Sequence, residues 1–335
     1  MEVTDIQNFV INFTAIVWEA LPFIVLGAII AGILEELLPQ EAIAKILPKH
    51  FVPAVIIGAL LGLVFPMCEC GIVVVMRRLL RKGLPLSCCV SYMLAGPIVN
   101  VIVIMSTWVA FAPHKVGIEQ TSLGMPMVLL RCGMGFLVAC VTGMIVHWVQ
   151  SRSTTSLTTV TVPPPKSTLS LDMAPLPKAS TWQRINNITS TALHDFMDIM
   201  VFLIIGSALA AIIKTNPTWI IQVESHSREN PFLAIPVMML LAVLLSLCSE
   251  ADAFLAASFV GMSVSAKMAF LVLGPMLDLK LLLMYTRVFR KKLILTIVAC
   301  TVVQVGLYST ILHFAYNPVA IGAPTTVAPA LSEKQ

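Results

Sequence analysis

Two thiols and a carboxylate stand together in Phe65-Pro66-Met67-Cys68-Glu69-Cys70-Gly71, inside an apolar run from about Phe51 to Met76. Thiolates hold soft ions and a carboxylate carries a proton, so chemistry is expected here. In a regular helix, residues two apart diverge by about 200°, which keeps Cys68 and Cys70 from gripping one ion together; an extended segment puts them on one side. Pro66 biases Phe65 away from helical dihedrals and Gly71 frees the backbone beyond the pair, which predicts an unwound break between two half-helices. Lipid tolerates such a break only where it is buried in protein or lines a cavity.

A second polar cluster, Cys248-Ser249-Glu250-Ala251-Asp252, interrupts another apolar run. Gly96-Pro97-x-x-Asn100 and Gly274-Pro275-x-x-Asp278 predict two further interruptions. Cys68, Cys70, Cys248, Asn100 and Asp278 are the candidate substrate-binding residues. Asn100 and Asp278 have an alternative role as caps of the half-helices that follow. Glu69, Glu250 and Asp252 are candidates for proton coupling, with Arg pairing or backbone capping as the competing role. Glu19 and Asp198 read as helix-interface or gating groups, and Arg131 as a side chain snorkelling to the interface. Cys88, Cys89, Cys132, Cys140 and Cys300 read as packing residues. No two histidines have metal-ligand spacing, so neither a metal nor another cofactor is expected.

The elements that must position these residues are membrane helices. Of 335 residues 58% are hydrophobic and 11% charged, with a mean hydropathy of +0.93, far from the roughly one-quarter charged content of a soluble domain. The fold class expected is an all-α polytopic membrane protein with about eight spans, in the cell inner (plasma) membrane. The net charge of +4 is spread over short loops and points to membrane orientation, not to nucleic acid. Arg77, Arg78, Arg81 and Lys82 mark a cytoplasmic loop. The acidic start, Glu2 and Asp5, argues for a retained first span.

Residues 1–150 form a first membrane repeat, 151–185 a Ser/Thr/Pro linker, 186–316 a second repeat and 317–335 a polar tail. Glu19, Phe23, Gly27, Ala31 and Ile33 match Asp198, Phe202, Gly206, Ala210 and Ile212 at an offset of 179. Cys68 matches Cys248 at 180, and Gly96-Pro97-x-x-Asn100 matches Gly274-Pro275-x-x-Asp278 at 178. Four full spans per half make the repeats parallel. That arrangement puts Arg287, Arg290, Lys291 and Lys292 outside, against the positive-inside tendency. An inverted arrangement, with one extra crossing or a re-entrant hairpin, is the alternative that removes the conflict.

Pro66-x-Cys68-x-Cys70-Gly71, Gly83-x-Pro85, Gly96-Pro97-x-x-Asn100 and Cys248-Ser249-x-x-Asp252-Ala253-Phe254 resemble the predicted permeases of the ArsP type. The resemblance covers nearly the whole chain outside linker and tail, and implies export of trivalent organoarsenicals. One position departs: the family motif has a small hydroxyl residue between the first cysteines, where this chain has Glu69. The expected function is a secondary transporter, not an enzyme, exporting a small soft or thiol-reactive solute. Its partners are that small-molecule or metalloid solute and the lipid bilayer, with a homo-oligomer left open. The alternatives are a membrane thiol oxidoreductase and a non-transporting subunit of a complex.

Overall fold

The computed structural model describes residues 3–37, 50–65, 67–112, 124–152, 158, 181–214, 231–259 and 262–315. Residues 1–2, 38–49, 66, 113–123, 153–157, 159–180, 215–230, 260–261 and 316–335 lie outside the described residues. The described part is helical throughout, apart from connections and a bridge between Thr158 and Phe289. The chain is an all-α polytopic membrane protein. Leu129, Leu295 and Val303 are all more than 60% exposed on long apolar helices, an arrangement that only a hydrocarbon surround makes favourable.

The first half comprises α1 (Val3–Leu37), α2 (Phe51–Val64), α3 (Glu69–Arg81), α4 (Leu86–Ala95), α5 (Val101–Ala110) and α6 (Gly124–Arg152). The second repeats this order as α7 (Thr181–Lys214), α8 (Pro231–Leu245), α9 (Ala251–Ser258), α10 (Val264–Met276), α11 (Leu279–Val288) and α12 (Lys291–Ala315). Helix α7 begins at Thr181. Helix α10 runs through Gly274-Pro275 and breaks only at Leu277 and Asp278. A proline near a helix's last turn removes few hydrogen bonds, so the break falls after it.

Two apolar segments expected to cross the membrane turn back instead. Helix α2 runs alongside α4 in the same sense: Gly58 lies against the Cys88 carbonyl, and a Cβ on Gly62 would stand 2.6 Å from the Gly96 Cα. Helix α3 opposes α4, because its start meets Gly96 through Ile72 and its end joins α4 by the short turn at 82–85, where Gly83 has φ +94°. Thus α2 and α3 form a hairpin with Phe65, Met67 and Cys68 at its tip. Each arm is too short to cross alone: at about 1.5 Å per residue, the 14 residues of α2 span about 21 Å of a roughly 30 Å core. By contrast α4 and α5 continue in one direction, their ends packed against Gly143 and Gly124 at opposite parts of α6.

The halves are inverted relative to each other. A Cβ on Gly32, near the end of α1, would stand 3.0 Å from the Ile188 carbonyl oxygen near the start of its equivalent, α7, so these two helices are antiparallel. Lys267 at the start of α10 sits 5.8 Å over the Phe111 ring at the end of α5, so the equivalent broken spans also run oppositely. Inversion carries the basic end of α11, with Arg287, Arg290, Lys291 and Lys292, to the side of Arg77–Lys82, and the charge conflict of the parallel arrangement disappears.

The α1–α7 pair is seated asymmetrically. Helix α1 packs on α3, whereas α7 packs on α11 and not chiefly on α9, the equivalent of α3. Between the halves, α3 meets α11 and α5 meets α9, the two images of one contact.

Candidate functional site

Cys68 is the N-cap of α3, extended at φ −70° and ψ 169°, and it makes no side-chain capping bond. The unwound stretch therefore ends at Cys68, two residues earlier than an extended Cys68-Glu69-Cys70 segment requires: Glu69 opens the helix and Cys70 is its second residue. Gly71 is helical too, and its role is close approach, since a Cβ on Gly27 of α1 would stand 3.0 Å from its Cα. Glu69 lies at the positive end of the α3 dipole, a favourable place for a carboxylate, and only 2% of it is exposed.

Helix α11 starts beside α3. Asp278 caps it, its Oδ1 accepting from the Leu281 N–H at 2.6 Å. Lys280, in the first turn, is buried and places its Nζ 3.4 Å from Asp278 Oδ2 and 3.6 Å from Glu69 Oε1. A buried ammonium is tolerable because both neighbours are anionic. Among the described residues Glu69 Oε2 has no hydrogen-bond partner. Asn100, the counterpart of Asp278, caps α5 by accepting from Ile102 N–H at 2.8 Å and Val103 N–H at 3.1 Å. Capping thus accounts for one oxygen of Asp278 and for the Asn100 carbonyl, while Asn100 Nδ2 stays buried without a partner.

The second hairpin tip reaches the same place from the other half. Ser246 adopts φ +46°, a left-handed conformation uncommon outside glycine, and its hydroxyl bonds both the Val243 carbonyl (3.1 Å) and the Leu279 N–H (3.3 Å). This tie anchors the tip to the start of α11. Cys248 then donates to Glu250 Oε2 at 3.6 Å. Cys68, Glu69 and Cys70, with Ser246 and Cys248, line one cavity of ≈ 20 Å³, closed by Glu19 of α1 and by Lys280. That volume holds one water-sized occupant.

Asn100, Glu250, Asp252 and Asp278 are not among the cavity's walls. Asp252 is buried on the first turn of α9, close enough to Gly274 that a Cβ there would stand 2.8 Å from its Oδ2. Arg131 does not snorkel. It is 1% exposed, donating from Nη1 to Thr107 Oγ1 at 2.7 Å and from Nη2 to the Ser249 carbonyl at 2.8 Å. It thereby ties α6 and α5 to the second hairpin tip through an unwound carbonyl.

A family model described as a predicted permease (ArsP_1) matches residues 5–314. The chain belongs to that family. It is a multi-pass permease of the cell membrane. UPF0718 protein YcgR of Bacillus subtilis is 36% identical over 296 residues, covering 88% of this chain and 92% of that protein. A Streptococcus mutans protein, named as a subunit of a two-component membrane permease complex, is 33% identical over 301 residues, covering 89% and 93%. No solved structure matches the chain.

Within this permease, sequence reasoning passed over Lys280 and gave Glu19 only a secondary role. The signal for Lys280 was present: a cation one turn into a helix that starts at membrane depth needs anionic company. Nothing local pointed to Glu19 meeting residues more than 200 positions away.

Proposed function

We propose that this permease is a secondary transporter exporting a small thiol-reactive solute, with a trivalent organoarsenical as the leading class. The observation that carries the reading is the convergence of Cys68, Cys70 and Cys248 on one cavity, from two hairpin tips in opposite halves. A methylarsenite carrying two hydroxides exchanges both for two cysteine sulfurs. Each thiol proton leaves with a hydroxide as water, and arsenic remains trivalent. Soft sulfur ligands favour such a centre over hard ions.

The cavity admits one water-sized particle, so a methylated arsenical enters only when α1 and the tips separate. The uneven seating of the α1–α7 pair supplies a route. Inverted repeats of one sequence pattern have a mirror arrangement in which the pair packs on the α9 side instead, which is the exchange alternating access requires. Glu69 and Glu250, beside the thiols, are the proposed carriers of a coupling proton, and Asp252 a more distant one. The test is uptake of methylarsenite into inverted vesicles. Cys68→Ser and Cys248→Ser should each lower it and the double variant should abolish it, and uptake equal to that of the unsubstituted protein would reject the thiol role.

A second reading follows from the streptococcal relative named as a complex subunit: the permease works with a second chain. Copurification of a stoichiometric partner from native membranes, with transport lost when it is removed, would establish it.

A further inference from the structure

Glu19, Cys248 and Glu250 bring one carboxylate oxygen, one sulfur and a second carboxylate oxygen within 4.8 Å of one another. We propose that these three residues bind a borderline-soft divalent cation such as Zn2+ or Cd2+, at the join between α1 and the second hairpin tip. The reading shares Cys248 with the proposed solute site but needs neither Cys68 nor Cys70.

The geometry suits such an ion. With metal–sulfur near 2.3 Å and metal–oxygen near 2.0 Å, tetrahedral angles place the two ligand atoms about 3.5 Å apart. Cys248 Sγ and Glu250 Oε2 are 3.6 Å apart. The site borders the cavity of ≈ 20 Å³, room for an ion or for the water that completes its coordination. One thiolate with two carboxylates disfavours Mg2+ and Ca2+, which prefer all-oxygen shells, and admits Zn2+ or Cd2+.

A second observation points to a missing cation. Glu69, on the same cavity, is 2% exposed and keeps Oε2 without a hydrogen-bond partner. The cations nearby are occupied: Lys280 faces Glu69 and Asp278, and Arg131 is turned to Thr107 and the Ser249 carbonyl. Glu19 on the cavity wall, and Glu250 beside Cys248, thus add anionic charge next to an ammonium that already faces two carboxylates. A divalent ion at Cys248 offsets it.

The full-length permease, purified in detergent under reducing conditions, is titrated with Cd2+, reading the cadmium–thiolate absorption and radiolabelled Cd2+ retention. Glu19→Gln, Glu250→Gln and Cys248→Ser should each weaken binding at least about tenfold, while Cys140→Ser should not. Excess Mg2+ or Ca2+ should not displace the ion, and Zn2+ should. Glu19→Asp, which keeps the charge, separates ligand loss from misfolding by retaining measurable binding. Undiminished binding in both glutamine variants overturns the proposal. So does loss in Cys68→Ser with retention in the glutamine variants, which would assign the metal to the hairpin thiols alone. Vesicle uptake of methylarsenite is scored separately, so failure of the arsenical reading leaves the cation result standing, and the reverse.

Discussion

The Lys280 ammonium lies 3.6 Å from Glu69 and 3.4 Å from Asp278, so one buried cation holds the starts of α3 and α11 together across the two halves. The two positive helix ends facing each other there are offset by two carboxylates, and the carboxylates by the lysine. Each group is tolerable only because of the others.

Replacing Lys280 with Met leaves two facing carboxylates buried without their cation, and should cost about 3–5 kcal/mol. Glu69→Gln keeps the Asp278–Lys280 pair and should cost less. Thermal unfolding in detergent measures both, and equal melting of Lys280→Met and unsubstituted protein would show that the pair holds nothing together.

Arg131 depends on Thr107 for one of its two acceptors. Thr107→Val should lower stability by about 1–3 kcal/mol by leaving a guanidinium N–H unpaired, while Thr107→Ser should be nearly neutral. Similar melting temperatures for the valine and serine variants would mean that the bond contributes nothing.

At Gly62 there is no room for a methyl group, because its Cβ would stand 2.6 Å from the Gly96 backbone. Gly62→Ala should destabilise by about 1–3 kcal/mol through overpacking of α2 on α4. At Gly133, where a Cβ would meet nothing within 4 Å, alanine should be tolerated. A reversal of that order in thermal melts would mean that α2 and α4 are not in close contact.

Inversion of the repeats has a direct readout. A membrane-impermeant thiol reagent should label Lys82→Cys and Arg290→Cys from the same side, and Ser263→Cys, in the turn before α10, from the other. Labelling of positions 82 and 290 from opposite sides would restore the parallel arrangement.

Much of this was legible in the chain itself. Apolar content announced the membrane, because no aqueous fold can expose so much hydrocarbon surface. Interruptions near Pro66, Gly96-Pro97 and Cys248–Asp252 were visible from backbone chemistry, and the offsets of 178 to 180 exposed the duplication. The direction of the half-helices was not legible. Hydropathy records how long an apolar segment is, and two arms of 14 and 13 residues joined at a tight break have the profile of one span. The close approach of Gly62 to Gly96 and the placing of Lys267 over Phe111 decided that. Likewise Cys68 declared itself by its neighbours in sequence, whereas its meeting with Glu19, Cys248 and Lys280 depends on helices from both halves packing together. Local residue chemistry acts over a few positions of chain, and only tertiary packing brings such distant charges and thiols into one cavity.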